Sequence, residues 1–246
     1  MSVRDLLRAN DERFLATADG FDADDWRRPS LCEDWSNHDV LAHLVVGAST
    51  GVGPVAAEMI RHVGSFDRAN TAMARSLAAQ LGPAELLDEF EHVSRRPRGL
   101  GRYFPASLLL GDHVTHELDI LFALEREPAI PHEAAIAVLN TQVVLPNPFV
   151  PAFRNSRGLR LVATDADWSH GAHGPLVEGR AVDLISVLGN RPRMLSSLVG
   201  DGVETLAARV TAPLDAVSSL VCRREPRKAG RRRLTMRLPR SIRSSP

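Results

Sequence analysis

The run ASLLLGDHVTHELDILFAL, residues 106–124, constrains this chain more than any other segment. It is apolar on nearly every side if helical, yet it holds Asp112, His113, His116, Glu117 and Asp119 within eight positions. Burying a polar group without a partner costs about 2–7 kcal/mol, and an unpaired charge more. Each helical residue advances about 100°, so positions four and seven apart share a face. Asp112, His116 and Asp119 share one stripe with Leu108, Leu109, Phe122 and Ala123. The other side carries Leu110, Val114, Leu118 and Leu121, so the polar stripe is expected to point inward too.

The first 145 residues read as helices. Val3, Leu6, Leu7, Phe14 and Leu15 recur at helical intervals over 2–19. A loop, FDADDWRRPSLCEDW, follows, and Ser36 with Asp39 forms a capping-box start for a helix expected to run to His62, distorted by GASTGVGP. Further helices are expected over 67–94, interrupted near Gly82-Pro83, then over 105–126 and 132–145. The prolines of LPNPFVP mark a linker. Beyond it GLRLVATD and LVEGR have strand character, AVDLISVLGN is helical, and GDGVETLAARV is compatible with strand or helix. The expected fold class is α+β, with a helical domain at 1–147, a small α/β domain at 152–221 and a basic tail at 222–246.

His43 repeats the puzzle inside VLAHLVV, whereas His38 belongs to the exposed first turn. Helical bundles build metal sites from inward-facing ligands on different helices. His43 from one helix, with Asp112 and His116 from another, gives three N/O ligands and leaves a coordination position open, as in catalytic sites. Asp119 could accept the second N–H of His116 and fix its tautomer. The same spacing also suits satisfied core histidines and a hydrogen-bonded Asp/His pair.

Composition narrows the classes. No stretch approaches eighteen uninterrupted apolar residues, and MSVRDLLRANDERF lacks a signal-peptide pattern, so a cytoplasmic protein without membrane partners is expected. Cys32 and Cys222 make no disulfide framework. The net charge of zero hides ten Lys/Arg against the single acid Glu225 from Cys222 onward, leaving −9 on the remainder. That tail has no aromatic platform and reads as a solvated extension in preference to a nucleic-acid arm.

The blocks CEDWSNHDVLAHL (32–44) and GDHVTHELDILFAL (111–124) resemble the mycothiol-dependent maleylpyruvate isomerase family, a branch of the DinB-like metal-binding four-helix bundles. GLRLVATDADWSHGAHGP and VEGRAVDLISVLGNRP resemble its smaller, sterol-carrier-like C-terminal domain. The single lysine among thirty basic residues suits the GC-rich actinobacteria that make mycothiol. The resemblance implies metal ligands at His43, Asp112 and His116, with Asp119 behind His116. The isomerase carries glutamate where this chain has Asp112, which makes His113 the reserve ligand. Asn190-Arg191 stands where relatives read Gly-Arg, which weakens any assignment of a substrate-binding role to Arg191.

The implied function is that of a metal-dependent enzyme. A divalent ion, Zn²⁺ by its mixed N/O ligands, would activate mycothiol or a similar low-molecular-weight thiol as a metal-bound thiolate. The thiolate would then serve isomerisation or S-transfer on a small electrophile. The alternative is a DinB-like small-molecule binding module without catalysis. The substrate, any further catalytic residues, the residues that bind the thiol and the oligomeric state are not specified by these motifs.

Overall fold

The computed structural model describes residues 1–146 and 151–211, which belong to one compact unit, Met1–Thr211. The linker positions 147–150, Cys222 and the basic tail lie outside the described residues. The helices are α1 (Val3–Ala18), α2 (Ala23–Arg27), α3 (Asn37–Ser49), α4 (Val52–Arg61), α5 (Phe66–Ala78), α6 (Pro83–Arg95), α7 (Ala106–Ala123), α8 (His132–Val144), α9 (Ala152–Ser156), α10 (Ala181–Leu188) and α11 (Val203–Val210). The strands are β1 (Arg160–Ala163), β2 (Ser169–His170) and β3 (Leu176–Gly179). A helical N-terminal part followed by a small α/β region is the expected class.

The first three helix starts follow side-chain capping. Ser2 and Asp5, then Asp22 and Asp25, then Ser36 and Asp39 each exchange reciprocal hydrogen bonds at the first turns of α1, α2 and α3. The helix expected to continue to His62 breaks instead after Ser49, because Thr50 is extended and Pro54 cannot continue a helix through that point. Pro54 is tolerated in the new first turn of α4, where its missing N–H has no helical partner to lose. The ambiguous segment near 203–210 is helical as α11.

Four helices form a ring, with α1 against α7, α7 against α3, α3 against α6 and α6 against α1. α5 flanks α3, and α8 flanks α7 and α1. One loop sets how the end of α3 meets the start of α7. Arg98 and Leu100 donate backbone N–H groups to the Ala48 and Thr50 carbonyls, both at 2.9 Å, satisfying the C-terminus of α3. This close approach requires glycine. A Cβ on Gly101 would sit 2.7 Å from the Ala48 Cα, and Gly99 has φ +53° with the Thr50 carbonyl oxygen 2.2 Å from where its Cβ would stand.

Apolar packing divides around α7. Leu110, Val114 and Leu118 join a cluster reaching Leu6, Val138 and Leu139 and also Leu159, Leu161, Val177, Leu184 and Leu188. Ile120 and Leu124 join a second cluster with Phe14, Trp35, Leu41, Leu44 and Phe90. Burial of each such side chain stabilises the fold by about 1.5–3 kcal/mol. The first cluster draws on residues from both sides of 147–150.

The sheet order is β2-β1-β3, with β1 antiparallel to β2 and parallel to β3. Leu161 pairs with Val177 and Ala163 with Gly179, placing one buried face against α10 and its neighbours. Among the described residues no helix is long and apolar enough to cross a membrane.

Candidate metal centre

α3 and α7 bring the three expected ligands together. The nearest ligand atoms of His43, Asp112 and His116 all lie within 4.8 Å of one another. Asp112 Oδ1 is 3.7 Å from His43 Nε2 and 3.6 Å from His116 Nε2. Both separations exceed hydrogen-bond length. They are close to the roughly 3.3 Å that separates neighbouring ligands around a tetrahedral ion with 2.0–2.1 Å bonds.

The two imidazoles share a protonation pattern. His43 Nδ1–H donates to Asn70 Oδ1 at 3.1 Å, from α5, and His116 Nδ1–H donates to Asp119 Oδ2 at 3.0 Å. With Nδ1 so engaged, each ring turns its Nε2 toward Asp112. Among the described residues His43 Nε2 is buried without a hydrogen-bond partner, a loss ordinarily worth about 1–3 kcal/mol. A cation at this point would satisfy it, so the donor set fits a divalent metal. Asn70 was not among the sequence-derived candidates. Its only signal was a position beside buried Ala69 on the helix flanking α3.

Packing holds the rings in place. Their centroids are 4.6 Å apart in an edge-on arrangement. Trp35 lies 5.1 Å from the His43 ring and 6.2 Å from that of His116, and its indole N–H donates to Thr71 Oγ1. Solvent access is uneven. The Asp112 side chain is 37% exposed and each histidine 11%, so the carboxylate is the member of the three most open to solvent.

The electrostatics suit a ligand set. Burial pushes the Asp112 carboxyl up, but the neighbouring imidazoles of His43 and His116 outweigh it and leave it below the usual carboxylate range. Burial, aided by neighbouring His43, lowers His116 and favours its neutral form. Burial also raises Asp119, yet Arg191 and His116 together hold it down at about 2. Cys32, half-buried, is pushed up to about 12 by burial, with Arg191 opposing. Its thiol stays protonated and is a poor nucleophile or ligand.

The other polar residues of α7 go elsewhere. His113, the reserve ligand, turns toward α1, where its Nδ1–H donates to Asp11 Oδ1 at 2.7 Å. Glu117 receives two hydrogen bonds from Arg13. Arg191 meets Asp119, and the Asn190 preceding it has φ +67°, a left-handed conformation that glycine and asparagine both adopt readily. The Asn-for-Gly departure is thus conformationally mild.

Residues 7–100 match the family model for the mycothiol maleylpyruvate isomerase N-terminal domain. That stretch includes His43 and ends before Asp112 and His116. No curated protein matches the chain. The crystal structure of the mycothiol-dependent maleylpyruvate isomerase is similar over 81% of this chain and 91% of that chain, with TM-score 0.50 and 15% identity. A histidine-to-alanine mutant of that enzyme gives the same coverage and TM-score at 14% identity. Residues 7–100 are thus similar to the N-terminal domain of that family, and the chain shares its fold with the solved isomerase.

Proposed function

We propose that this protein is a metal-dependent enzyme acting on a small electrophile with mycothiol or a similar low-molecular-weight thiol. The observation that carries the reading is the pair of imidazoles fixed with Nδ1–H donating outward, to Asn70 and Asp119, and both Nε2 atoms turned to Asp112. Two neutral imidazoles and one carboxylate would give a divalent cation three ligands and a net charge of +1, a set suited to zinc. A cation held there would supply Lewis acidity that keeps a coordinated thiol deprotonated at neutral pH.

The protein's own groups do the rest. Asn70 and Asp119 keep the ring nitrogens in the ligating tautomer. Trp35 covers the ring faces and excludes water from that side, while the partly exposed Asp112 edge admits the thiol and the substrate. Helices within 1–147 supply the ligands, and the segment 152–221 supplies Arg191 behind them. Both isomerisation and S-transfer begin with the same thiolate attack on an electrophilic carbon, and the ligand set serves either.

Metal analysis of the full chain after zinc loading tests this reading, followed by mycothiol addition to the Co²⁺-substituted protein. About one equivalent of metal, lost in His43→Ala, and a new sulfur-to-cobalt absorption band on adding mycothiol are expected. A parent protein that retains no metal, or a cobalt spectrum indifferent to mycothiol, would overturn it.

A further inference from the structure

Arg191 follows α10 and immediately precedes the 3-10 turn Pro192–Ser197. Its backbone is fixed before its side chain is considered. The Asn190 N–H donates to the Val187 carbonyl and the Arg191 N–H to the Ser186 carbonyl, closing the end of α10 through left-handed Asn190. Asn190 Oδ1 in turn accepts a 2.8 Å hydrogen bond from the buried Asn155 side chain. The guanidinium is thereby launched from a rigid corner toward α7.

There it meets Asp119 in a two-pronged contact. Nε donates to Oδ1 at 2.7 Å and Nη2 donates to Oδ2, while Nη1 donates to the Gly189 carbonyl. The Asp119 side chain is 1% exposed and that of Arg191 14%. Oδ2 is also the oxygen that accepts His116 Nδ1–H. Asp119 is tied at its main chain as well, since the Leu31 N–H donates to its carbonyl at 3.1 Å. All three guanidinium nitrogens are thus engaged within the protein, which makes Arg191 a poor candidate for gripping a substrate.

We infer that Arg191 is a positioning residue for the metal ligand His116, acting through Asp119. The planar fork fixes the carboxylate plane, and the carboxylate plane aims Oδ2 at Nδ1. His116 is left in one tautomer, with its Nε2 lone pair facing His43 and Asp112. The α/β region is then a working part of the centre, since it completes the support of a ligand that belongs to the helical part. The inference rests on the metal-site reading for its consequence, but its first step, from Arg191 to the tautomer of His116, concerns the metal-free protein alone.

The test uses the full chain with Zn²⁺ as the probe. Chelator competition gives the zinc affinity, and ¹⁵N NMR of the imidazoles in the metal-free protein gives the His116 tautomer. Arg191→Ala is expected to weaken zinc binding by roughly tenfold, the lower end for outer-shell partners, and to replace the single Nδ1–H tautomer with a mixture. Arg191→Lys keeps the charge without the fork and folds more readily. It is expected to recover part of the affinity and part of the tautomer preference. The Arg191→Ala, Asp119→Asn double variant should bind zinc no more weakly than Asp119→Asn alone.

Unchanged tautomer and affinity within twofold of the parent in both Arg191 variants would overturn the inference, as would strictly additive losses in the double variant. If the parent binds no zinc, the proposed function fails, and the tautomer measurement still decides the role of Arg191.

Discussion

Asp11 on α1 accepts the Nδ1–H of His113 on α7 at 2.7 Å, with both side chains 5% exposed, one residue along the chain from a proposed metal ligand. Two successive positions of α7 thus serve different ends. Asp112 turns to His43 and His116, while His113 turns to Asp11 and packs its ring 5.4 Å from that of Phe90.

This pair carries a pH dependence whose sign is determined. Burial lowers the His113 pKa, but Asp11 more than compensates and the value is raised overall. A raised folded pKa means that the protonated pair contributes stability fully below the unfolded value of about 6.5. That contribution is lost as pH rises through the higher folded value. Thermal melts of parent and Asp11→Asn between about pH 5.5 and 9 should show the largest gap at the acid end, narrowing as pH rises. A gap that widens with pH would show that His113 is not held protonated by Asp11.

Two glycines at the α3 end of the bundle should respond in opposite directions. Gly47 lies inside α3, and a Cβ there would meet nothing within 4 Å. Gly47→Ala should therefore raise stability by about 0.5–1 kcal/mol through helix propensity. Gly101→Ala would press its methyl to 2.7 Å from the Ala48 Cα and should destabilise the junction of α3 with the loop. Denaturant midpoints of the two variants decide the matter, and equal shifts would mean the loop does not hold α3 as described.

Much of the site could be read from α7 because that helix is apolar all round, so its polar stripe had to find partners inside. The capping box at Ser36 and Asp39 likewise fixed the register of α3, and hence the facing of His43. What stayed hidden depended on residues with no such contrast around them. Asn70 sits on an amphipathic helix where a polar residue is ordinary, and only the packing of α5 on α3 brings it to His43. The clasp between Arg191 and Asp119 spans 72 residues. The break after Ser49 was visible as a distortion in GASTGVGP, but its extent depends on the loop at 98–101 closing the carbonyls there.

The shorter acid at position 112 already reaches both imidazoles, at 3.6 and 3.7 Å, so no bridging water is needed to bring its carboxylate into the set. Asp112→Asn keeps the size but removes the negative charge, and zinc affinity should fall by at least tenfold in chelator competition. Asp112→Glu retains the charge on a partly exposed side chain with room to bend, and should stay within about tenfold of the parent. These bounds follow the usual cost of disturbing a metal's immediate surroundings. An asparagine variant that binds zinc like the parent would remove Asp112 from the ligand set.

Asn70 supplies the corresponding test on the opposite ring. Its Oδ1 accepts the His43 Nδ1–H, while His43 Nε2 has no partner among the described residues. Asn70→Ala takes away the acceptor, so the His43 ring is free to rotate or to move its proton to Nε2, the nitrogen the cation requires. Zinc affinity should drop on the order of tenfold with little change in melting temperature, because the residue is only half-buried. Asn70→Asp retains an acceptor, now charged, and should bind zinc at least as tightly as the parent. The two variants must therefore move affinity apart. If both weaken it equally, Asn70 contributes packing alone, and the tautomer of His43 is set by something other than this hydrogen bond.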